Sequence, residues 1–497
     1  MMKRFVLPFL LISLLFGASC KKDPVQPADD GRDPDKEILL RDSTYYYSLA
    51  FSLWEDQLPQ PKVDSKGQPD LKAFTNAYQD AEGVLAALRR NAPDDRFSFV
   101  DREGTVSEEI QQGVHKETGI IPIFITVSNQ NNGEANMYVK YVQKNSPGEK
   151  AGLKRGMRIV SINGDGNLDY NKSEQKAIEN YYKVVEGKEA LNLVVQAPGE
   201  TTTKTVTVSG GAYNIDPILV KKIFTINGKK IGYIFYTSFV NVFGKSGPNS
   251  YHTALTNAFK EFETANVNEL IVDLRYNGGG STATAEMMSN LLVPNTGAKG
   301  KMYDYKINKN LKEWGWADET DPEAPFRSVN FNKTNALNLQ RVYFLGTTGT
   351  ASASELVMNV LKPYMDVQII TTNGKGTYGK PVGFFGYPVV HGYADLYITS
   401  FQMLNKDGFG DYFDGLKGKI TNASDGFFTE LGDEREALLS TAIADITGTG
   451  AGARAANRTT KTGLESAREM KIPEMKDYRN NMYKFPDVKI PSLMKMD

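Results

Sequence analysis

The sequence predicts an α/β protein whose core carries a largely parallel sheet, preceded by a smaller β domain and a helical segment. Three observations predict this. After residue 211, apolar runs ("KIGYIFYTSF", "NELIVDLRY", "RVYFLGTT", "DVQIITT") alternate with amphipathic stretches such as "YHTALTNAFKEFETA", the pattern of buried strands separated by helices. Residues 113–210 contain "GIIPIFITV" and "ANMYVKYVQ", which alternate as strands do. Residues 37–112 instead place Leu71, Phe74, Tyr78, Ala81, Leu85 and Leu88 at helical spacing.

The two ends read differently from the middle. Lys3 and Arg4 precede "FVLPFLLISLLFGAS", an apolar run too short to span a bilayer and typical of a secretory signal. Cys20, the single cysteine, follows directly. A lone cysteine makes no internal disulfide. Its placement resembles a bacterial lipoprotein signal, in which that cysteine is acylated and becomes the mature N-terminus, although Gly17 stands where leucine is usual. The expectation is a signal peptide over 1–20 and a lipid anchor on Cys20. The protein would then sit in the cell envelope, on the periplasmic face of the outer membrane or at the cell surface. Residues 21–36, rich in Pro and Asp, read as a flexible tether. Residues 448–497 are Gly/Ala/Arg-rich and then Pro/Lys/Met-rich, and are expected to be partly loose. Of the 497 residues, 40% are hydrophobic and 24% charged, with a net charge of -1. That balance suits a globular domain and argues against a nucleic-acid partner.

The helical segment begins with "EILLRDSTYYYSLAFSLW". It reads as a small subdomain over 37–112. In 113–210, "NSPGEKAGLKRGMRIVSINGDGN" encodes a Pro-Gly turn, a one-turn helix, a second turn and a strand ending in a tight bend. This run resembles a PDZ domain. The resemblance implies recognition of extended peptides by strand addition, with a terminal carboxylate held on backbone N–H groups. The corresponding loop would be Thr118–Phe124, with Gly119, Ile120 and Ile121 as peptide-binding residues.

Over 211–447, two stretches point to chemistry. "NELIVDLRYNGGGSTATA" runs a buried strand into Arg275, Asn277 and Gly278–Gly280. Glycines there let backbone N–H groups face a ligand, and the spacing is not that of a Walker A loop. "VYFLGTTGTASASELVMNVLKPY" runs a strand through a turn of small residues into a helix. Ser352 and Ser354 stand at the helix start, where N–H groups lack intrahelical partners and can stabilise an oxyanion. That stretch alone fits an N-cap serine or a nucleophile equally well. Glu355 suits the helix dipole. A nucleophilic serine needs a base. The three histidines are His115, His252 and His391, and only the last lies near the later core strands. A lysine kept neutral by burial is the other option, and "TTNGKGTYGKPVGFFGYP" offers Lys375 and Lys380.

"DLRYNGGG", "GTASASE" and "TYGKPVG", in that order behind a PDZ-like segment, resemble the C-terminal processing peptidases, also called tail-specific proteases. The likeness covers roughly residues 37–445. It implies a Ser–Lys endopeptidase with a crotonase-like α/β core and an inserted PDZ domain that recruits substrate C-termini. It further implies Ser352 as nucleophile, Lys380 as general base with Lys375 as runner-up, and the N–H groups of Gly279 and Ala353 as oxyanion hole. Ser354 would support the turn. Partners would be protein or peptide substrates, with no metal or cofactor. Two departures stand out. Phe384 occupies the place of the family's glutamine after the lysine, and Gly278 stands where proline is common. They leave a second reading, a non-catalytic peptide- or ligand-binding lipoprotein on the same fold.

Overall fold

The computed structural model describes residues 31–63, 69–126, 133–244, 246–372, 374–449, 468–470 and 481–484. The segment expected to be a signal peptide, Cys20 and most of the expected tether lie outside the described residues. Helix α1 (Pro34–Phe51) starts where Asp33 accepts the N–H groups of Asp35 and Lys36 and proline takes the first turn. The single helix expected through Leu71–Leu88 is instead a turn of helix, Lys72–Thr75, followed by α2 (Ala81–Asn91). Asp80 takes the Gly83 N–H at 2.8 Å and opens a new N-terminus there. Tyr45, Leu58, Leu71, Val84 and Leu88 form a cluster of their own, while Leu40, Tyr47 and Phe51 enter the main hydrophobic core. Strand β1 (Phe99–Asp101) also joins a core sheet.

The β domain follows. Its elements are β2 (Ile120–Thr126), β3 (Ala135–Val142), β4 (Arg158–Ile162), α3 (Glu174–Glu186), β5 (Leu191–Gln196) and β6 (Thr203–Val208). The Pro147–Lys150 turn of helix is capped by Ser146, and Asn163 ends β4 in the left-handed region at φ 51°. Ile120, Phe124, Val139, Ile159, Val184 and Leu193 belong to a core of its own.

The core then runs in chain order: β7 (Ile218–Ile226), β8 (Lys229–Tyr236), α4 (Ser250–Thr264), β9 (Glu269–Asp273), β10 (Gly280–Ser281), α5 (Thr282–Leu292), β11 (Lys301–Ile307), β12 (Arg341–Leu345), α6 (Ala353–Leu361), β13 (Asp366–Thr372), β14 (Val382–Val389), β15 (Ala394–Asn405), β16 (Ile420–Ala423) and α7 (Ala437–Thr447). Two short strands end it, β17 (Arg468–Glu469) and β18 (Met482–Lys484). Both fall in the stretch expected to be partly loose.

One sheet has the order β16-β13-β12-β9-β8-β7 and is parallel except for the β7–β8 pair. Its side chains alternate between faces. Val272 and Phe344 face the main core with α4, α5 and α6, while Ile271 and Tyr343 face α7. The second sheet runs β10-β18-β14-β15-β11, with β1 paired on β15 and Val329–Asn330 at the far edge. Helix α6 is packed with residues of both sheets, so all nine of its residues are buried. The third sheet is the β domain, with β17 antiparallel on the edge of β2.

Candidate active site

Parallel pairing of β9, β12 and β13 brings their carboxyl ends together, the usual place for a ligand site in such a sheet. The three segments leaving those ends are Arg275–Gly280, Gly346–Ser352 and Thr377–Lys380. The sequence-predicted residues Gly279, Ser352 and Lys380 lie on them, and Ala353 opens α6 directly after Ser352.

Ser352 occupies the N-cap position of α6 with φ 61° and ψ -110°. A non-glycine residue in this region is strained by about 1–3 kcal/mol. Its side chain is fully buried, and its Oγ has no hydrogen-bond partner among the described residues. Glu355, one turn into the helix, holds the backbone around it. Oε2 of Glu355 accepts the Ser352 N–H at 2.8 Å and the Lys380 N–H at 2.8 Å. Oε1 accepts the Gly379 N–H at 2.8 Å and the Thr377 hydroxyl. Burial pushes the Glu355 carboxyl above its ordinary range, and these four hydrogen bonds oppose that push. The sequence assigned Glu355 only a place at the helix start. A Ser-x-x-Glu spacing does signal such a carboxylate, but nothing local announces that it also grips the lysine segment.

Lys380 is 3% exposed. Its Nζ lies 4.3 Å from the centre of the Phe97 ring and 4.7 Å from that of Phe384. Phe384 follows Lys380 by four residues. Phe97 escaped the sequence reading, since it lies far upstream and reaches the site through the pairing of β1 with β15. Lys375 is exposed on the loop before Thr377, away from this cluster.

The Gly279 N–H is engaged within its own loop. It donates to Oδ1 of Asn277, two residues before it, at 2.9 Å. An Asn side chain commonly captures the N–H two residues on. Gly279 sits at φ 123°, and a Cβ there would fall 2.5 Å from the Asn481 carbonyl oxygen and 3.1 Å from Ser352 Cβ. Only glycine fits. The Ala353 N–H is in the first turn of α6, where no intrahelical carbonyl reaches it. The Ser354 hydroxyl donates to the Asn277 carbonyl at 3.0 Å and ties the helix to the Gly-rich loop. Asn277 in turn donates through Nδ2 to the Tyr236 carbonyl at 2.9 Å.

A buried ionic cluster anchors the same loop. Arg275 pairs with Asp273 at 2.7 Å, Glu436 at 2.8 Å and Asp425 at 2.9 Å. Asp425 also takes Arg155 of the β domain at 3.0 Å.

The histidines do not join the site. His115 is buried beside Glu117 and Tyr213, His252 stands near Phe243 on α4, and His391 is exposed in a turn. Gly119, Ile120 and Ile121 form a second locus at the start of β2. Gly119 takes φ 70°, and the Ile120 N–H donates to Thr118 Oγ1 at 3.1 Å. Ile120 lies in the β-domain core, and Ile121 packs towards Tyr141 and the core sheet. Among the described residues, no group of three or more His, Cys, Asp or Glu side chains is placed to hold a metal ion, and no helix is long and apolar enough to cross a membrane.

A buried hydroxyl at a helix N-terminus, with a buried lysine tethered to the same carboxylate, is an arrangement suited to acyl transfer. Residues 230–413 match the family model described as Peptidase family S41. The chain is 25% identical over 294 residues to the carboxy-terminal processing protease CtpB of Bacillus subtilis (strain 168), covering 58% of this chain and 52% of that protein. It is 29% identical over 237 residues to CtpA of the same strain, covering 47% and 43%. The chain thus spans about half the length of the curated relatives it matches. Among solved structures it resembles the "Putative S41 protease" of Bacteroides fragilis NCTC 9343, with a TM-score of 0.62 and 24% identity over 82% of this chain and 97% of that one. That likeness shows a shared mixed α/β fold.

Proposed function

We propose that this protein is a serine endopeptidase that cleaves peptide bonds of secreted or envelope proteins through a Ser352–Lys380 dyad on a crotonase-like core. The observation that carries this reading is the Glu355 carboxylate, whose single oxygen Oε2 binds the backbone N–H of both Ser352 and Lys380. Two residues far apart in sequence are held as one unit around an unpaired buried hydroxyl.

Neutral Lys380 takes the Ser352 Oγ proton as Oγ attacks the peptide carbonyl carbon. The Ala353 N–H receives the developing oxyanion, and the Gly279 N–H joins it on leaving Asn277. Lys380 returns the proton to the departing amine, which leaves an ester on Ser352. A water molecule, deprotonated by Lys380, then attacks the ester and releases the new carboxylate. The β domain acts as a PDZ domain that recruits substrate C-termini at the Gly119–Ile121 loop. A lipid on Cys20 tethers the protein in the envelope.

Incubation of residues 21–497, which leave out Cys20, with an unfolded protein tests the activity. Wild type cleaves, Ser352→Ala and Lys380→Ala do not, and Lys375→Ala does. Absence of cleavage by the wild type across varied substrates would favour the binding reading instead. Cys20→Ala in the full chain should release the protein from membranes.

A further inference from the structure

The candidate site is closed as it stands. Ser352 and Ala353 are fully buried, Gly279 is buried and Lys380 is 3% exposed. A peptide carbonyl must reach Ser352 Oγ, so some element has to yield. The element lying against the Gly-rich loop is β18. It pairs in parallel with β10, Gly280 against Met482 and Ser281 against Tyr483, and in parallel with β14, Phe384 against Tyr483 and Phe385 against Lys484. It therefore fills the gap between the glycine loop and the strand that follows Lys380.

The contact is closest beside the nucleophile. The Gly280 N–H donates to the Asn481 carbonyl at 2.6 Å. The face of Gly279 that would carry a Cβ looks at that same carbonyl and at Ser352 Cβ. A peptide carbonyl oxygen is thus already bound to a glycine N–H next to the candidate nucleophile, as a substrate carbonyl would be. On the β domain, β17 adds antiparallel to the edge of β2, Arg468 against Thr126 and Glu469 against Ile125. The Met470 N–H donates to the Phe124 carbonyl at 3.0 Å, and the Met470 side chain packs on the β-domain core formed by β2 and α3. As its numbers rise, this strand heads for the Gly119 loop. Strand addition to a sheet edge is how such a domain takes a peptide.

We infer that β17 and β18 are an intramolecular peptide ligand: the chain's own strands fill both the recognition edge of β2 and the slot beside Ser352, and their release opens the site to substrate. The inference rests on the peptidase reading above. Met482 and Tyr483 are fully buried, so the bound state is tight and the resting protein is a slow enzyme.

The test compares the full chain with a variant ending at Ala467, using a fluorophosphonate probe that labels activated serines and, in parallel, cleavage of an unfolded protein. Labelling of Ser352 and kcat/KM should both rise at least tenfold (about 1.4 kcal/mol) in the shortened variant. A synthetic peptide of residues 468–484 added in trans should bring both back towards the full-chain level. Equal labelling of two folded proteins, or no effect of the peptide, would overturn the inference while leaving the peptidase reading intact. No labelling of Ser352 in either protein would instead overturn the peptidase reading. Should the shortened variant fail to fold, hydrogen exchange on the full chain decides. Amides of Met482–Lys484 should exchange through a local opening, faster than those of β15; protection equal to β15 would make β18 a permanent core strand.

Discussion

Lys380 Nζ lies 4.3 Å from the centre of the Phe97 ring. With Phe384 at 4.7 Å, two aromatic faces surround the end of the proposed base. Ring faces attract the charged form and exclude water, which disfavours it. Their net service here is to fix the position of the lysine. Phe97→Leu keeps an apolar filler but loses the ring, so its stability cost should stay under about 1.5 kcal/mol. Steady-state kinetics should show kcat falling about tenfold with KM little changed. An unchanged kcat would reduce Phe97 to a packing residue.

Ser352 carries backbone strain and an unpaired buried hydroxyl. Ser352→Gly removes both, at a backbone-entropy cost of about 0.5–1 kcal/mol. Strain relief and loss of the orphan hydroxyl are each worth roughly 1–3 kcal/mol. The variant should be inactive and more stable by about 1 kcal/mol or more in urea denaturation. A destabilised variant would show that the strain is not stored at this residue.

Glu355→Gln keeps the shape and loses one carboxylate oxygen's worth of acceptor, so Ser352 and Lys380 should lose their shared hold and kcat should fall at least tenfold. The pH dependence has a definite sign. The folded-state value of Glu355 is raised, chiefly by burial, so the folded protein binds this proton more tightly than the unfolded chain does. That contribution is fully present below the ordinary carboxylate value of about 4.3 and is lost as pH rises through the folded value. The stability of wild type relative to Glu355→Gln should therefore decline as pH climbs from about 4 towards neutrality. A gap that widens over this range would contradict the assignment.

Arg275 has no exposed surface and neutralises Asp273 and Glu436, which are also fully buried. Arg275→Met leaves those carboxylates without a counter-charge and should cost about 3–5 kcal/mol, read from the urea midpoint. Because the Thr347 hydroxyl bonds the Arg275 carbonyl and Asn277 lies two residues on, turnover should fall as well, even in the fraction that remains folded.

Much of this architecture was legible in local pattern. The strands "LIVDL" and "VYFL", the turn of small residues and the helix from Ala353 lie where hydrophobic period and turn chemistry place them. The Leu71–Leu88 stretch was less legible, because its apolar spacing continues through Asn76–Asp80 while Asp80 caps a new helix. A capping hydrogen bond outweighed a periodic pattern there.

The sequence by itself determined the elements and the chemically able residues, Ser352, Lys380 and the glycines, because these depend on backbone preferences and on functional groups carried at one position. Tertiary structure alone decided how they are joined. Glu355 grips Ser352 and Lys380 because parallel strands deliver their carboxyl ends to one place. Phe97 reaches Lys380 through a strand pairing that spans most of the chain, the Gly279 N–H turns to Asn277, and the Asn481 carbonyl settles against Gly280. Most of these contacts join residues tens to hundreds of positions apart. Their partners are selected by sheet register and by which buried polar groups remain to be satisfied, and neither quantity exists until the chain has folded.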